Sequence, residues 1–110
     1  MISLHVYLTP KQKKVSRLLT AIKDKWLPTM AKQPGFVNAA LITPFPDEEL
    51  NTLGASKPDN TFEAVCFWKS EADRLQWVAK PIHDEVFASV IEASERVSYT
   101  LQKVEKSWNL

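Results

Sequence analysis

The chain has 110 residues, enough for one domain and too few for two. Its 45% apolar and 25% charged composition is that of an ordinary globular protein and excludes a disordered tail. At a net charge of +1, with acidic and basic residues mixed throughout, it offers no long basic face, which excludes nucleic acid as the main partner.

Residues Ile2 to Leu8 alternate. Ile2, Leu4, Val6 and Leu8 point one way, and Ser3, His5 and Tyr7 the other, so the segment is a strand. Met1-Ile2-Ser3-Leu4-His5 has no signal-peptide pattern. No apolar run approaches the ~20 residues that cross a bilayer, so no membrane partner is expected and the protein reads as soluble and cytoplasmic. From Val15 the spacing changes: Val15, Leu18, Leu19, Ile22, Trp26 and Met30 form one apolar stripe on a helix. Pro28 should kink or end it near Leu27. Gln33-Pro34-Gly35 is a stop and turn.

Phe36 to Thr43 is apolar and uncharged, a second strand with two apolar faces. Residues 44–60, with Pro44, Pro46, Gly54 and Pro58, read as a long loop, a lid or flexible arm. Thr61 to Trp68 is a third strand. It carries the single cysteine, Cys66, within Ala64-Val65-Cys66-Phe67-Trp68, a setting for a small buried hydrophobe rather than a reactive thiolate. With one cysteine no intramolecular disulfide forms. Ser70-Glu71-Ala72-Asp73 is close to a capping box and opens a helix to about Lys80, with Leu75 and Val78 inward. Pro81 interrupts it, and a second helical piece buries Ile82, Val86, Phe87, Val90 and Ile91. Arg96 to Val104 alternates loosely as a fourth strand, and Glu105 to Leu110, with Trp108, is a tail.

Strand, helix, strand, strand, helix, strand is the ferredoxin-like βαββαβ order of an α+β domain, an antiparallel sheet with helices on one face. One domain spans residues 1–110. Helices cover only one face, yet Val37, Ala39 and Leu41 oppose Phe36, Ala40 and Ile42, and Val65 and Phe67 oppose Phe62, Ala64 and Cys66. A bare second face would expose several hundred square ångströms of apolar surface, so a homodimer is expected to cover it.

Gln33-Pro34-Gly35-Phe36-Val37, after an amphipathic helix, resembles the turn into strand two of antibiotic biosynthesis monooxygenase domains. Phe67-Trp68-Lys69-Ser70-Glu71, followed by Trp77 and His83, resembles their strand end, capped turn and helix. The resemblance implies a dimeric α+β barrel with a pocket in each subunit between helices and sheet. It also implies relatives that oxidise anthrone-like polyketides without a cofactor, degrade haem, or cyclise polyketides. Haem-degrading members place a histidine where this chain has Phe87, and an asparagine in strand one that this chain lacks. His83 lies one turn too early, so that branch does not fit.

No glycine-rich phosphate loop and no metal-ligand spacing is present, since the only histidines are His5 and His83. No nicotinamide, flavin or metal is therefore expected. His83, at a break between helices beside Asp84 and Glu85, is the candidate base that would remove a phenolic proton. Trp77, Trp26, Trp68, Phe36, Phe67 and Phe87 are candidate walls for a flat aromatic substrate, or plain core. His5 and Tyr7 are polar pocket groups if their face turns toward the helices, and interface residues if it does not. Glu63 is a carboxylate on the third strand, expected at a solvated position. The expected activity is a cofactor-independent monooxygenase on an aromatic or polyketide-derived molecule; the alternatives are an oxygen-independent cyclase or lyase, or a non-catalytic binder.

Overall fold

Period-two alternation in the first strand and helical spacing after it divide the chain into layers, and a computed structural model shows how they meet. It describes residues 1–108; Asn109 and Leu110, the end of the expected tail, lie outside the described residues. Strands β1 (Ile2–Pro10), β2 (Phe36–Ile42), β3 (Phe62–Trp68) and β4 (Ser94–Lys103) form one antiparallel sheet in the order β2-β3-β1-β4. This is the ferredoxin-like α+β arrangement. β1 is central, pairing Leu4 with Cys66 on one side and Leu101 on the other. Leu4, Val6 and Leu8 are buried on the helix side, with Phe62, Ala64, Cys66 and Trp68 beside them on β3. Each such large apolar side chain contributes about 1.5–3 kcal/mol on full burial.

The first helical region is α1 (Val15–Thr20), a π-helical segment (Ala21–Trp26) and α2 (Leu27–Met30) in succession. Pro28 does not end it. The Leu27 N–H reaches back to the Ile22 carbonyl, the wider π pattern, and the helix runs on through the proline. A widened turn just before Pro28 gives room at the point where a proline ring would press on an α-helical turn. Leu18, Ile22, Trp26 and Met30 are buried as the stripe predicts, while Val15 at its start is exposed.

The second helical region is α4 (Glu71–Val78) and α5 (Pro81–Ala93), with α3 (Asp47–Leu53) in the connection before β3. Residues 44–60 are thus not a continuous loop. Three acidic residues, Asp47, Glu48 and Glu49, occupy the first turn of α3, where the helix dipole favours them, and Gly54 ends it at φ 70°. In α4 the Ser70 hydroxyl accepts from the Asp73 N–H at 3.1 Å, the expected cap. Trp77 takes the buried face and Leu75 is exposed. In α5, Val86 and Val90 are buried, whereas Ile82 and Ile91, expected inward, are exposed. α5 passes straight into β4 at Ser94, whose hydroxyl donates to the Val90 carbonyl at 2.7 Å.

A bulge changes the faces of β2. Phe36 opposes Trp68 and Asn38 opposes Phe67, so two β2 residues answer to Trp68. Phe36 therefore joins Ala39 and Leu41 against the core, and Val37 is exposed. The turn before β2 needs its glycine. Gly35 sits at φ +86°, and a Cβ there would collide with the Asp73 side chain. Its carbonyl accepts from the Lys69 N–H at 2.8 Å, tying the turn to the end of β3. Gly35→Ala is expected to lower stability by at least about 1–2 kcal/mol from the left-handed backbone alone. Urea denaturation would show an earlier midpoint at unchanged slope; an unchanged midpoint would refute this account of the turn.

Candidate functional site

Helical spacing and strand alternation direct a small set of side chains to one place. His83 and Phe87 lie one turn apart on α5 and stack, with ring centroids 5.6 Å apart at 27°. Trp77 of α4 meets the His83 ring edge-on at 5.1 Å and 81°. Trp26, at the end of the π-helical segment, meets Phe87 at 5.1 Å. These four rings wall a cavity of about 310 Å³ between the helices and the sheet. Leu4 and Val6 of β1 and Val97 and Tyr99 of β4 form its floor. The volume lies at the lower end of the small-molecule range.

Two polar pairs sit at this cavity. His83 Nδ1 lies 3.0 Å from Asp84 Oδ1. A carboxylate only accepts, so Nδ1–H donates and the neutral ring keeps its lone pair on Nε2. The His83 side chain is 17% exposed and Asp84 is 86% exposed, so the imidazole is mostly inside and its orienting carboxylate is in water. Arg74 of α4 also lines the cavity. Its Nε and Nη2 donate to the two Glu71 carboxylate oxygens, the latter at 3.2 Å. The Trp26 indole N–H is buried without a partner among the described residues, a cost of about 1–3 kcal/mol against the apolar area that the ring buries.

The structure brings together His83, Trp77, Trp26 and Phe87 from the residues singled out in the sequence, and sets the others apart from this cavity. Trp68 is fully buried and meets Phe36 edge-on at 5.6 Å, deeper in the core. Phe67 lies on the opposite face of the sheet, as do His5 and Tyr7. There His5 bridges Glu63 at 2.9 Å and Ser3 at 3.1 Å, while Tyr7 meets Thr100 at 3.2 Å. Their alternation with buried Leu4, Val6 and Leu8 leaves them no route to the helices.

Sequence reasoning passed over Arg74 and Tyr99 as site residues. Arg74 is three positions before Trp77, on the same helix face. Tyr99 pairs with Val6 and shares the face of Val97 and Leu101. Both were legible once Trp77 and the inner face of β1 were chosen. No three His, Cys, Asp or Glu residues gather as a metal-binding group among the described residues. No helix among them is long and apolar enough to cross a membrane.

The fold has relatives of known structure. A variant of SnoaB, a cofactor-independent oxygenase from Streptomyces nogalater, superimposes with a TM-score of 0.75 at 16% identity, over 96% of this chain and 94% of that one. An antibiotic biosynthesis monooxygenase gives 0.71 at 11% identity, over 96% and 100%. A dimeric ferredoxin-like protein of unknown function from Jannaschia sp. CCS1 gives 0.72 at 14% identity, over 94% and 98%. The fold is the ferredoxin-like one that these proteins share, antibiotic biosynthesis monooxygenase-like proteins among them. No protein-family model matches the chain, and no curated protein matches it in sequence.

Cys66 is fully buried on β3, and desolvation pushes its thiol up to about 12. It is neutral at physiological pH and is no nucleophile there. Between pH 9.0 and about 12 the unfolded chain ionises this thiol and the folded chain does not, so its contribution to stability is lost as pH rises. A chromogenic disulfide reagent at pH 8 is expected to leave the native protein unlabelled and to titrate one thiol per chain in denaturant. Rapid labelling of the native protein would show that Cys66 is accessible.

Proposed function

We propose that the protein is a cofactor-independent oxygenase whose substrate is a flat, electron-rich aromatic molecule of the polyketide type. The observation that carries this reading is the convergence of three aromatic walls and one oriented histidine on a cavity of about 310 Å³. The rings of Trp26, Trp77 and Phe87 offer apolar and π surface to a planar ligand. His83, with its lone pair on Nε2, takes a proton from a phenolic O–H or an activated ring C–H. The resulting anion is electron-rich enough to reduce dioxygen directly. For an anthrone-type ring CH₂, one oxygen atom becomes the new C=O and the other leaves as water with the two displaced hydrogens. SnoaB, of the same fold, is a cofactor-independent oxygenase, which supports the same class here. We place this activity in the cytoplasm, where the single thiol stays reduced.

The test is oxygen uptake with a panel of anthrones and hydroquinones in the presence of chelator. Uptake by the wild type is expected, with His83→Ala slower by about 10²-fold or more. Conversion of a panel member without oxygen would replace this reading by a cyclase or lyase, and binding without conversion would replace it by a carrier.

The working unit in this proposal is a homodimer built on the open face of the sheet. Val65 and Phe67 stand half-buried there, and Ile42 at its edge is 45% exposed. Dimeric ferredoxin-like proteins from Jannaschia sp. CCS1 and Thermobifida fusca share the fold. Light scattering is expected to give twice the 12.5 kDa chain mass for the wild type and a single chain mass for Phe67→Glu. A wild-type protein of single chain mass would end the dimer reading.

A further inference from the structure

Among the described residues, Arg74 is the only permanently charged side chain in the wall of the cavity. The remaining wall residues are apolar apart from His83, Tyr99 and the Trp26 and Trp77 indoles. Burying a guanidinium in such a wall is costly unless its donors are used. Glu71 accounts for two of the five N–H groups, one on Nε and one on Nη2. The two Nη1 donors have no described protein acceptor. The pair is also lopsided. The Arg74 side chain is 13% exposed, whereas Glu71 is 42% exposed. Water therefore screens the carboxylate more than the guanidinium, and the cavity side of the pair keeps a positive character.

From this asymmetry we infer that Arg74 is an anion-recognition residue, and that the molecule held in the cavity is an aromatic acid, its ring among Trp26, Trp77 and Phe87 and its carboxylate on the free Arg74 donors. The inference rests on the reading of this cavity as the substrate site and deepens it, since the oxygenase proposal alone requires only a flat ring. A guanidinium with one edge held by Glu71 is already oriented, so a second carboxylate binds with little further ordering of the side chain. It would also fix which end of a flat molecule faces His83. Neither the rings nor the histidine can do that by themselves, because stacking surfaces tolerate rotation of a planar ligand.

The test compares 2-naphthoate with its neutral amide, 2-naphthamide, by isothermal titration calorimetry on the intact protein. The wild type is expected to bind the acid at least tenfold more tightly than the amide. Arg74→Gln is expected to weaken binding of the acid at least tenfold and so abolish that preference, with the amide losing far less, a pattern that general damage to the cavity would not give. Should Arg74→Gln fail to fold, Arg74→Lys serves in its place. It keeps the charge but loses the planar fork, and is expected to weaken the preference severalfold. Equal binding of acid and amide by the wild type, or binding of neither, overturns the inference, as does a preference that survives Arg74→Gln. The two proposals fail separately. Acid preference without oxygen uptake removes the oxygenase and keeps the anion subsite; oxygen uptake without acid preference does the reverse.

Discussion

The constraint on which the rest of the molecule depends is that β1 is hydrogen-bonded on both edges and apolar on one face only. Its pairing with β3 and β4 fixes two registers at once. A slip of one residue in either would turn Leu4, Val6 and Leu8 to the open face and Ser3, His5 and Tyr7 into the core. The energetic gap against that slip is large: three apolar side chains would be exposed, and His5 would be buried and parted from Glu63, which stays on the open face of β3. With β1 held, Trp68 is placed under the helices, Tyr99 is placed beside Val6, and the cavity acquires its floor.

The helices answer to that floor in different ways. α5 contributes His83 and Phe87 one turn apart, an ordinary consequence of helical spacing. α4 is short and capped by Ser70, and its one buried aromatic, Trp77, forms the wall opposite. The first helical region reaches the same cavity by a less regular path, through the π-helical segment that ends at Trp26. Chemistry and packing are therefore not separate here. The rings that surround His83 are the rings that close the core, and the imidazole is oriented by a carboxylate that stands outside it.

Much of the fold was legible in the sequence because its signals are local. Alternation announced β1, the 3–4 spacing announced the first helix, and Ser70 announced the start of α4. What escaped had causes that local patterns do not carry. Pro28 reads as a helix end, but a widened turn accommodates it. The bulge between Phe36 and Asn38 shifts the alternation of β2, so counting by twos put Val37 on the wrong side. The α3 helix was hidden by the prolines around it, although Asp47-Glu48-Glu49 followed by Leu50 and Gly54 is a readable start and stop. Ile82 and Ile91 fall on the apolar stripe of α5 but beyond what this single subunit covers. Of the candidate site, the histidine and three rings were legible from helical spacing. Arg74 became legible only through Trp77, three positions on along the same helix face, because its significance lies in what surrounds it.

The π-helical segment has one more consequence. A π turn accommodates one residue more than an α turn does, so this stretch of helix carries in effect an insertion absorbed without a loop. Each residue of an α-helix advances the side chain by about 100°. Tightening Ala21–Trp26 into ordinary α turns at unchanged length would leave Leu18 and Trp26 about 80° out of phase, so that they could no longer both face the sheet, whereas removing one residue as well would bring them back to within about 20°. The segment thus acts as a phase adjuster between two stretches of helix that serve different neighbours, α5 near its start and the cavity at its end. Changes in chain length are tolerated poorly in most helices. Here the wider turns hold the additional residue without a loop, and the geometry of the aromatic wall depends on them.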